Sequence, residues 1–126
     1  MCYALVVALL DFRKPGVRVE KGELSLNEKQ PHQALSMHHI PISFTFGLVE
    51  GGVFLDPHRK EEEAYEGRIT ITMNIYKDIC SVHKPGGMPI ESSTLMKLTE
   101  VCELKVAEFT NLLRDIVKNR ERYSQL

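Results

Sequence analysis

The sequence holds no apolar run long enough to cross a bilayer. The longest, YALVVALL from Tyr3 to Leu10, falls far short of the roughly 20 residues a spanning helix needs. No basic segment precedes it, so neither a membrane span nor an ordinary export signal is expected. An excess of one charge is also missing. Sixteen Lys and Arg stand against seventeen Asp and Glu, for a formal charge of −1, so no overall field draws in nucleic acid or an anionic membrane. Any nucleic-acid contact must come from a local patch or a partner chain. Cysteine is scarce: Cys2, Cys80 and Cys102 are odd in number and widely spaced. That pattern argues against a disulfide scaffold and fits a reducing cytosol or nucleus, with some thiols simply buried. Catalytic signatures are lacking as well. There is no Gly-x-Ser-x-Gly elbow and no Cys/His/Asn family pattern. HKPGGMP, His83 to Pro89, has neither the Lys-Ser/Thr of a P-loop nor the spacing of a dinucleotide fingerprint. It reads as a strand-to-helix turn, with weak anion binding at the following helix start as the alternative.

What is present suits one folded unit. The 126 residues are 43% hydrophobic, enough for a core of useful size. No repeat, low-complexity tract or linker interrupts them. YALVVALLDFRKPG reads as a short helix stopped by Arg13-Lys14 and Pro15-Gly16. VRVEKGELSL places Val17 and Val19 on one arm and Leu24 and Leu26 on the other of a Lys21-Gly22 hairpin. NEKQPHQ is expected to be a polar loop.

Three or four strands follow. Ile40, Ile42, Phe44 and Phe46 alternate with Pro41, Ser43 and Thr45, and Ile69, Ile71 and Met73 alternate with Arg68, Thr70, Thr72 and Asn74. Such alternation gives each strand one buried face. VFLDP and DICSVHKPGG complete an expected antiparallel meander. From about Ser92 the period changes to steps of three and four, through Leu95, Leu98, Cys102, Val106, Phe109, Leu113 and Ile116. This predicts a long amphipathic helix to about Arg122, capped by Ser92 or Ser93. Its stripe needs the apolar face of the sheet, so the expected fold is α+β, an antiparallel meander with a long C-terminal helix packed on one face.

Candidate chemistry gathers in DPHRKEEEAYEG, Asp56 to Gly67, where Glu61, Glu62 and Glu63 follow Arg59 and Lys60. Paired acids do acid/base work only when their environments pull their pKa values apart. Nothing apolar encloses these groups in the sequence, so a solvated charged turn competes with a catalytic pair. The pairs His38/His39 and Cys80/His83 point to opposite faces of a strand, so no metal site is expected. The basic tail RDIVKNRERY reads as a solvated helix end, with a phosphate or partner contact as the alternative.

Taken in order, LSMHHIPIS before a strand, DP followed by EEE and GRITITMN, the DICSVHK.GG turn, the helix around KVAEFTNLL and the preceding ALVVALLDFRKP resemble one family. The chain is similar, from about Ala4 to about Val117, to the second half of the RNase PH domain in the exosome's ring of RNase PH-like subunits. The resemblance implies a loop that, in active members, carries a Glu-Asp pair and a second Asp some six positions on, which support phosphorolysis of RNA 3′ ends. Laid on this chain from Asp56, the first catalytic Asp falls at Glu62, preceded by Glu61, and the second at about Arg68, beside Gly67.

A base there replaces an acid, so the acid pair is lost and the two positions would tend to pair with each other. Asp56, Glu61, Glu62, Gly67 and Arg68 are thus expected to be a degenerate catalytic loop, with no catalytic residue, metal or cofactor. The resemblance further implies a non-catalytic scaffold whose partners are other RNase PH-like ring subunits and cap subunits. RNA would be met through the assembled ring, without a membrane, in nucleus and nucleolus and also in cytoplasm. Residual phosphate-dependent phosphorolysis through Glu62 and Glu66, and a truncated form without a ring role, are the competing readings. Residues 1–126 would then be a single partial domain whose N-terminal half is missing. Exposing ~600 Å² of apolar surface in that way costs about 15 kcal/mol at roughly 25 cal/mol per Å².

Overall fold

The structure is a computed structural model that describes residues 2–26 and 31–119, with only the backbone of Cys2, Glu20 and Glu62. It divides into two compact units, Met1–His38 with Leu113–Leu126, and His39–Leu112.

The first unit begins with helix α1, Cys2–Asp11. Arg13 terminates it as the sequence suggests: its Nη1 donates to the carbonyls of Leu10, Asp11 and Phe12 at 2.9, 3.0 and 3.1 Å, satisfying acceptors the helix leaves open. Strand β1, Arg13–Lys14, follows directly. The hairpin forms where expected, with β2, Val17–Glu20, against β3, Glu23–Leu26. Lys21 and Gly22 both take positive φ, 51° and 87°, as a two-residue turn matching strand twist requires. The expected polar loop is corrected at its end. Gln33–Ala34 forms a short strand, β4, antiparallel to β1, while residues 27–30 of that loop lie outside the described residues.

The second unit is a four-stranded antiparallel sheet with a helix on one face. Its strands are β5, Ile42–Val49; β6, Gly52–Leu55; β7, Gly67–Met73; and β8, Ile79–His83. Helix α2, Ser92–Lys118, supplies the apolar stripe and runs on into the first unit. Residues 120–122 of the expected helix lie outside the described residues. Neither expected serine cap is the feature seen at its start: Ser93 Oγ donates to Glu91 Oε2 at 3.3 Å, and Leu95 N closes the first turn on the Glu91 carbonyl.

Ile42, Phe44, Phe46 and Leu48 of β5 and Ile69, Ile71 and Met73 of β7 are buried, as are Leu98, Cys102 and Val106 of α2. Phe44 and Phe109 meet edge to face, with ring centroids 5.8 Å apart, a favoured aromatic geometry. The core is therefore the union of one strand face and one helix stripe.

The strand order differs from a simple meander. It is β6-β5-β7-β8, so β7 pairs with β5 and not with β6. β5 and β7 are the two long strands with alternating burial, and a central position covers both. The short β6, with Phe54 54% exposed, takes an edge. That order forces the chain between β6 and β7 to cross β5.

Candidate functional site

The crossing link is the acid-rich segment. Leu55 ends β6 opposite Phe46, and Gly67 begins β7 opposite Leu48, so the eleven intervening residues must pass over β5 near Gly47. Asp56, with φ of 55°, turns the chain and ties its N–H to the Thr45 carbonyl at 2.8 Å. A tight turn follows in which Glu61 N donates to the His58 carbonyl at 2.7 Å and Glu61 Oε2 accepts from His58 N at 2.8 Å. A single 3-10 turn, Glu62–Ala64, brings in Tyr65, and Glu66 N closes the link on the Leu48 carbonyl at 3.0 Å.

Gly47 makes the crossing possible. A Cβ built there would lie 2.8 Å from three ring carbons of Tyr65, so the phenol ring lies on the bare backbone of β5. The face involved is the one turned away from α2, because Phe46 and Leu48 on either side point into the core. Phe54, opposite Gly47 on β6, has its ring centroid 6.2 Å from that of Tyr65. Arg68, opposite Gly47 on β7, is exposed.

Beyond Arg68 the Pro-Gly-Gly turn closes the site. Gly67 and Gly87 form an isolated antiparallel bridge, and Met88 N donates to the Glu66 carbonyl at 3.0 Å. Gly87 combines φ of 78° with backbone contact so close that a Cβ would meet the Glu66 carbonyl oxygen. Both requirements exclude any other residue. Lys84 Nζ donates to the Gly86 carbonyl at 2.9 Å. Pro57, Tyr65, Gly67, Arg68 and Pro85–Gly87 line an open cleft of about 380 Å³. The HKPGG segment is thus a structural turn that also walls a cleft.

The sequence-predicted residues divide clearly. Asp56, Glu61, Glu63 and Glu66 are all exposed. Glu61 is committed to the backbone of its own turn, and the Glu62 side chain lies outside the described residues. Gly67 and Arg68 line the cleft. Among the described residues no ion pair joins Arg68 to a carboxylate. The phenol of Tyr65 is pushed above its ordinary pKa, first by partial burial and then by the nearby Glu61 carboxylate. No cluster of three His, Cys, Asp or Glu able to hold a metal occurs among the described residues. His39 instead stacks edge-on with Tyr76 and lies 3.4 Å from Asn74 Nδ2.

Tyr65, Phe54 and Gly47 are the site residues the pattern reading passed over. The available signal was Gly47 itself, a glycine in the middle of an alternating strand, which marks a close approach by another group.

Residues 39–103, just over half of the chain, match the 3′ exoribonuclease family, domain 2. The exosome complex component RRP45 of Rattus norvegicus is 33% identical over 123 residues, covering 94% of this chain and 28% of that protein. Exosome complex component RRP45A of Arabidopsis thaliana is 36% identical over 132 residues, covering 97% and 43%. The chain therefore spans less than half the length of either relative. Two solved structures share the fold. One is a chain of an Archaeoglobus fulgidus exosome with RNA bound to the active site, at TM-score 0.59 and 21% identity, covering 65% of this chain and 32% of that one. The other is from an archaeal exosome core, at TM-score 0.56 and 22% identity, covering 73% and 36%. With its α+β architecture and the matched stretch running from the approach to β5 into α2, the chain belongs to the 3′ exoribonuclease family, domain 2.

Proposed function

We propose that the chain is part of a non-catalytic ring subunit of the exosome, of the type known as the smaller PM/Scl autoantigen. In this reading the 126 residues are part of a single RNase PH-like domain. It pairs with other RNase PH-like subunits and with cap subunits and helps enclose the path of RNA. It works in nucleus and nucleolus and also in cytoplasm, supporting 3′-to-5′ RNA processing and decay by associated nucleases. The similarity to exosome components over nearly the whole chain supports the subunit assignment.

The observation that carries the non-catalytic reading is Arg68. The resemblance sets a catalytic acid at that position, and this chain presents an exposed guanidinium at the start of β7. The neighbouring acids face solvent, and one is used to hold its own turn. Acid/base chemistry needs carboxylates held in contrasting environments, and the described acids of the link share one solvated environment.

Two measurements test this. Affinity recovery of the tagged chain from its own cells, with bound proteins identified by mass spectrometry, should return RNase PH-like ring subunits. Recovery of chaperones and proteasome alone would defeat the scaffold role. Purified chain, alone and with ring partners, should release no nucleoside diphosphate from an RNA 3′ end in the presence of phosphate. Release abolished by Glu62→Gln would establish residual phosphorolysis instead.

A further inference from the structure

The second unit ends its sheet on a strand that is not finished as an edge. β8 closes the order β6-β5-β7-β8, bonded to β7 on one side and to no other strand among the described residues. All five of its residues are exposed. Ile79 and Val82 stand opposite the buried Met73 and Ile71, and so on the face that α2 covers elsewhere, yet they are 50% and 49% exposed. The helix leaves half of each uncovered. Its near side is marked by Glu103, whose Oε2 accepts from Lys77 Nζ at 3.0 Å just before β8. Met96, seven residues earlier and so on that same side, is 67% exposed. The apolar layer of the core therefore runs out through β8 to an open rim.

Proteins usually blunt such an edge with lysine, proline, an inward charge or a bulge. ICSVH has no lysine, proline or acid, and His83 lies on the outward face opposite Thr70. Its one such device is the bulge at Cys80, between the pairs Thr72–Ser81 and Met73–Ile79, which leaves Ser81 to His83 regular.

We infer that β8 pairs antiparallel with β8 of a second copy of this chain, about a two-fold axis at Ser81. The strand's own pattern selects that occupant. A two-fold normal to the sheet keeps each face on its side, so only registers centred on a residue are open. Centring on Ser81 sets Val82 of one copy opposite Cys80 of the other, and Asp78 opposite Lys84 at both ends of the pair. Opposite charges directly across two strands attract. Centring on Cys80 loses this match by setting Asp78 against Val82. Centring on Val82 brings in Pro85, which has no N–H to give.

The acid is already held at the strand's entry. Asn74, itself buried, donates from Nδ2 to Asp78 Oδ2 at 3.0 Å and accepts the Asp78 N–H on Oδ1 at 3.0 Å. Lys84 is steadied at the other end by the Gly86 carbonyl, 2.9 Å from Nζ, with further donors to give. Two four-stranded sheets then become one of eight strands, their apolar rims meeting over Val82 and Ile79. A contact built on so short a strand falls below the roughly 1,200 Å² of a standard interface. The dimer is therefore weak and depends on concentration.

Sedimentation velocity of the purified full chain, from about 1 to about 200 μM in reducing buffer, tests the inference. Monomer should give way to dimer as concentration rises. Val82→Lys, which sets a charge into the rim at a half-exposed position, should stay monomeric throughout, with circular dichroism reporting its fold. If that variant does not fold, Lys84→Glu decides: it turns both attractions into repulsions and should weaken the dimer about tenfold at low salt. A bismaleimide spanning about 8 Å reads the register, since diagonal neighbours across two strands lie roughly 7–8 Å apart. In a Cys2→Ser chain it should link two copies through Cys80, and adding Cys80→Ser should abolish the link. A chain monomeric at every concentration would overturn the inference, the result expected if the edge serves a different partner. Dimerisation unchanged in Val82→Lys and Lys84→Glu, or without a Cys80 link, would overturn it as well and move the contact to another surface such as the β2-β3 ribbon. None of these outcomes depends on whether ring subunits are recovered with the chain.

Discussion

Two regions of the chain carry the same alternating pattern and end differently. In β5, Ile42, Phe44, Phe46 and Leu48 are at most 3% exposed. In the β2-β3 ribbon, Val17 and Leu26, and Val19 and Leu24, also stand directly opposite one another on one face, yet all four are more than half exposed. The difference is the opposing layer. β5 has a second long strand beside it and the stripe of α2 over it, whereas the ribbon has two strands and an apolar face left mostly exposed among the described residues. Alternation reports which side of a strand is apolar. It does not report whether anything covers that side.

The sharpest way to break this comparison is to remove one side chain from each region. Phe44→Ala should cost about 3–5 kcal/mol, because it empties a buried site that packs on Phe109. Leu24→Ala should change stability by no more than about 0.5 kcal/mol. Urea unfolding of both variants checks the pair. A large loss on Leu24→Ala would mean that the ribbon face is covered in solution.

The same contrast explains what the sequence made legible. The long helix, the hairpin at Lys21-Gly22 and the buried positions of β5 and β7 follow from periodicity and turn chemistry, which are local. Strand order does not. Whether β7 joins β6 or β5 depends on which long faces can be covered together, a non-local choice that also decides where the acid-rich link runs. The link residues Asp56, Glu61, Glu62, Gly67 and Arg68 were therefore visible as a set. Its companion Tyr65 was not, since its place on Gly47 exists only once the crossing is known. Glycine 47 was the clue, and its neighbours Phe46 and Leu48 masked it as ordinary strand.

Gly47→Ala tests the crossing directly. The added methyl would displace the Tyr65 ring, and a loss of about 1–3 kcal/mol is expected from forcing a filled contact. Ultraviolet titration gives a second readout. In the wild-type chain the Tyr65 phenol titrates above the ordinary tyrosine value because of partial burial and Glu61. In Gly47→Ala it should move back down. An unmoved titration would show that Tyr65 does not rest on β5.

The two cysteines whose side chains are described repeat the comparison between edge and core. Cys80 lies exposed in β8, and Cys102 lies buried in α2. Burial pushes the Cys102 thiol up to about 11, so at a fixed neutral pH its thiolate fraction is roughly a hundredfold below that of an ordinary cysteine. Iodoacetamide should modify Cys80 in the native chain and reach Cys102 only after unfolding. The sign of the pH dependence follows from the raised value. The unfolded thiol ionises near 9 and the folded one near 11, so this group's contribution to stability is complete below about 9 and is lost as pH rises to about 11. Cys102→Ala should lose less stability over that interval than the wild-type chain.

The smallest expected effect lies inside the core and has the opposite sign. Thr99 on α2 solves the problem of a helical hydroxyl in the usual way, donating to the Leu95 carbonyl at 3.0 Å. Thr110, eleven residues on, is fully buried, and its Oγ1 has no partner among the described residues. A buried hydroxyl without a hydrogen bond costs more than it returns, and valine has nearly the same shape and a similar helix propensity. Thr110→Val should therefore raise stability by about 1 kcal/mol, seen as a Tm higher by roughly 4 °C. A lower Tm would show that the hydroxyl finds a partner in solution, and that the buried end of the α2 stripe is polar by necessity.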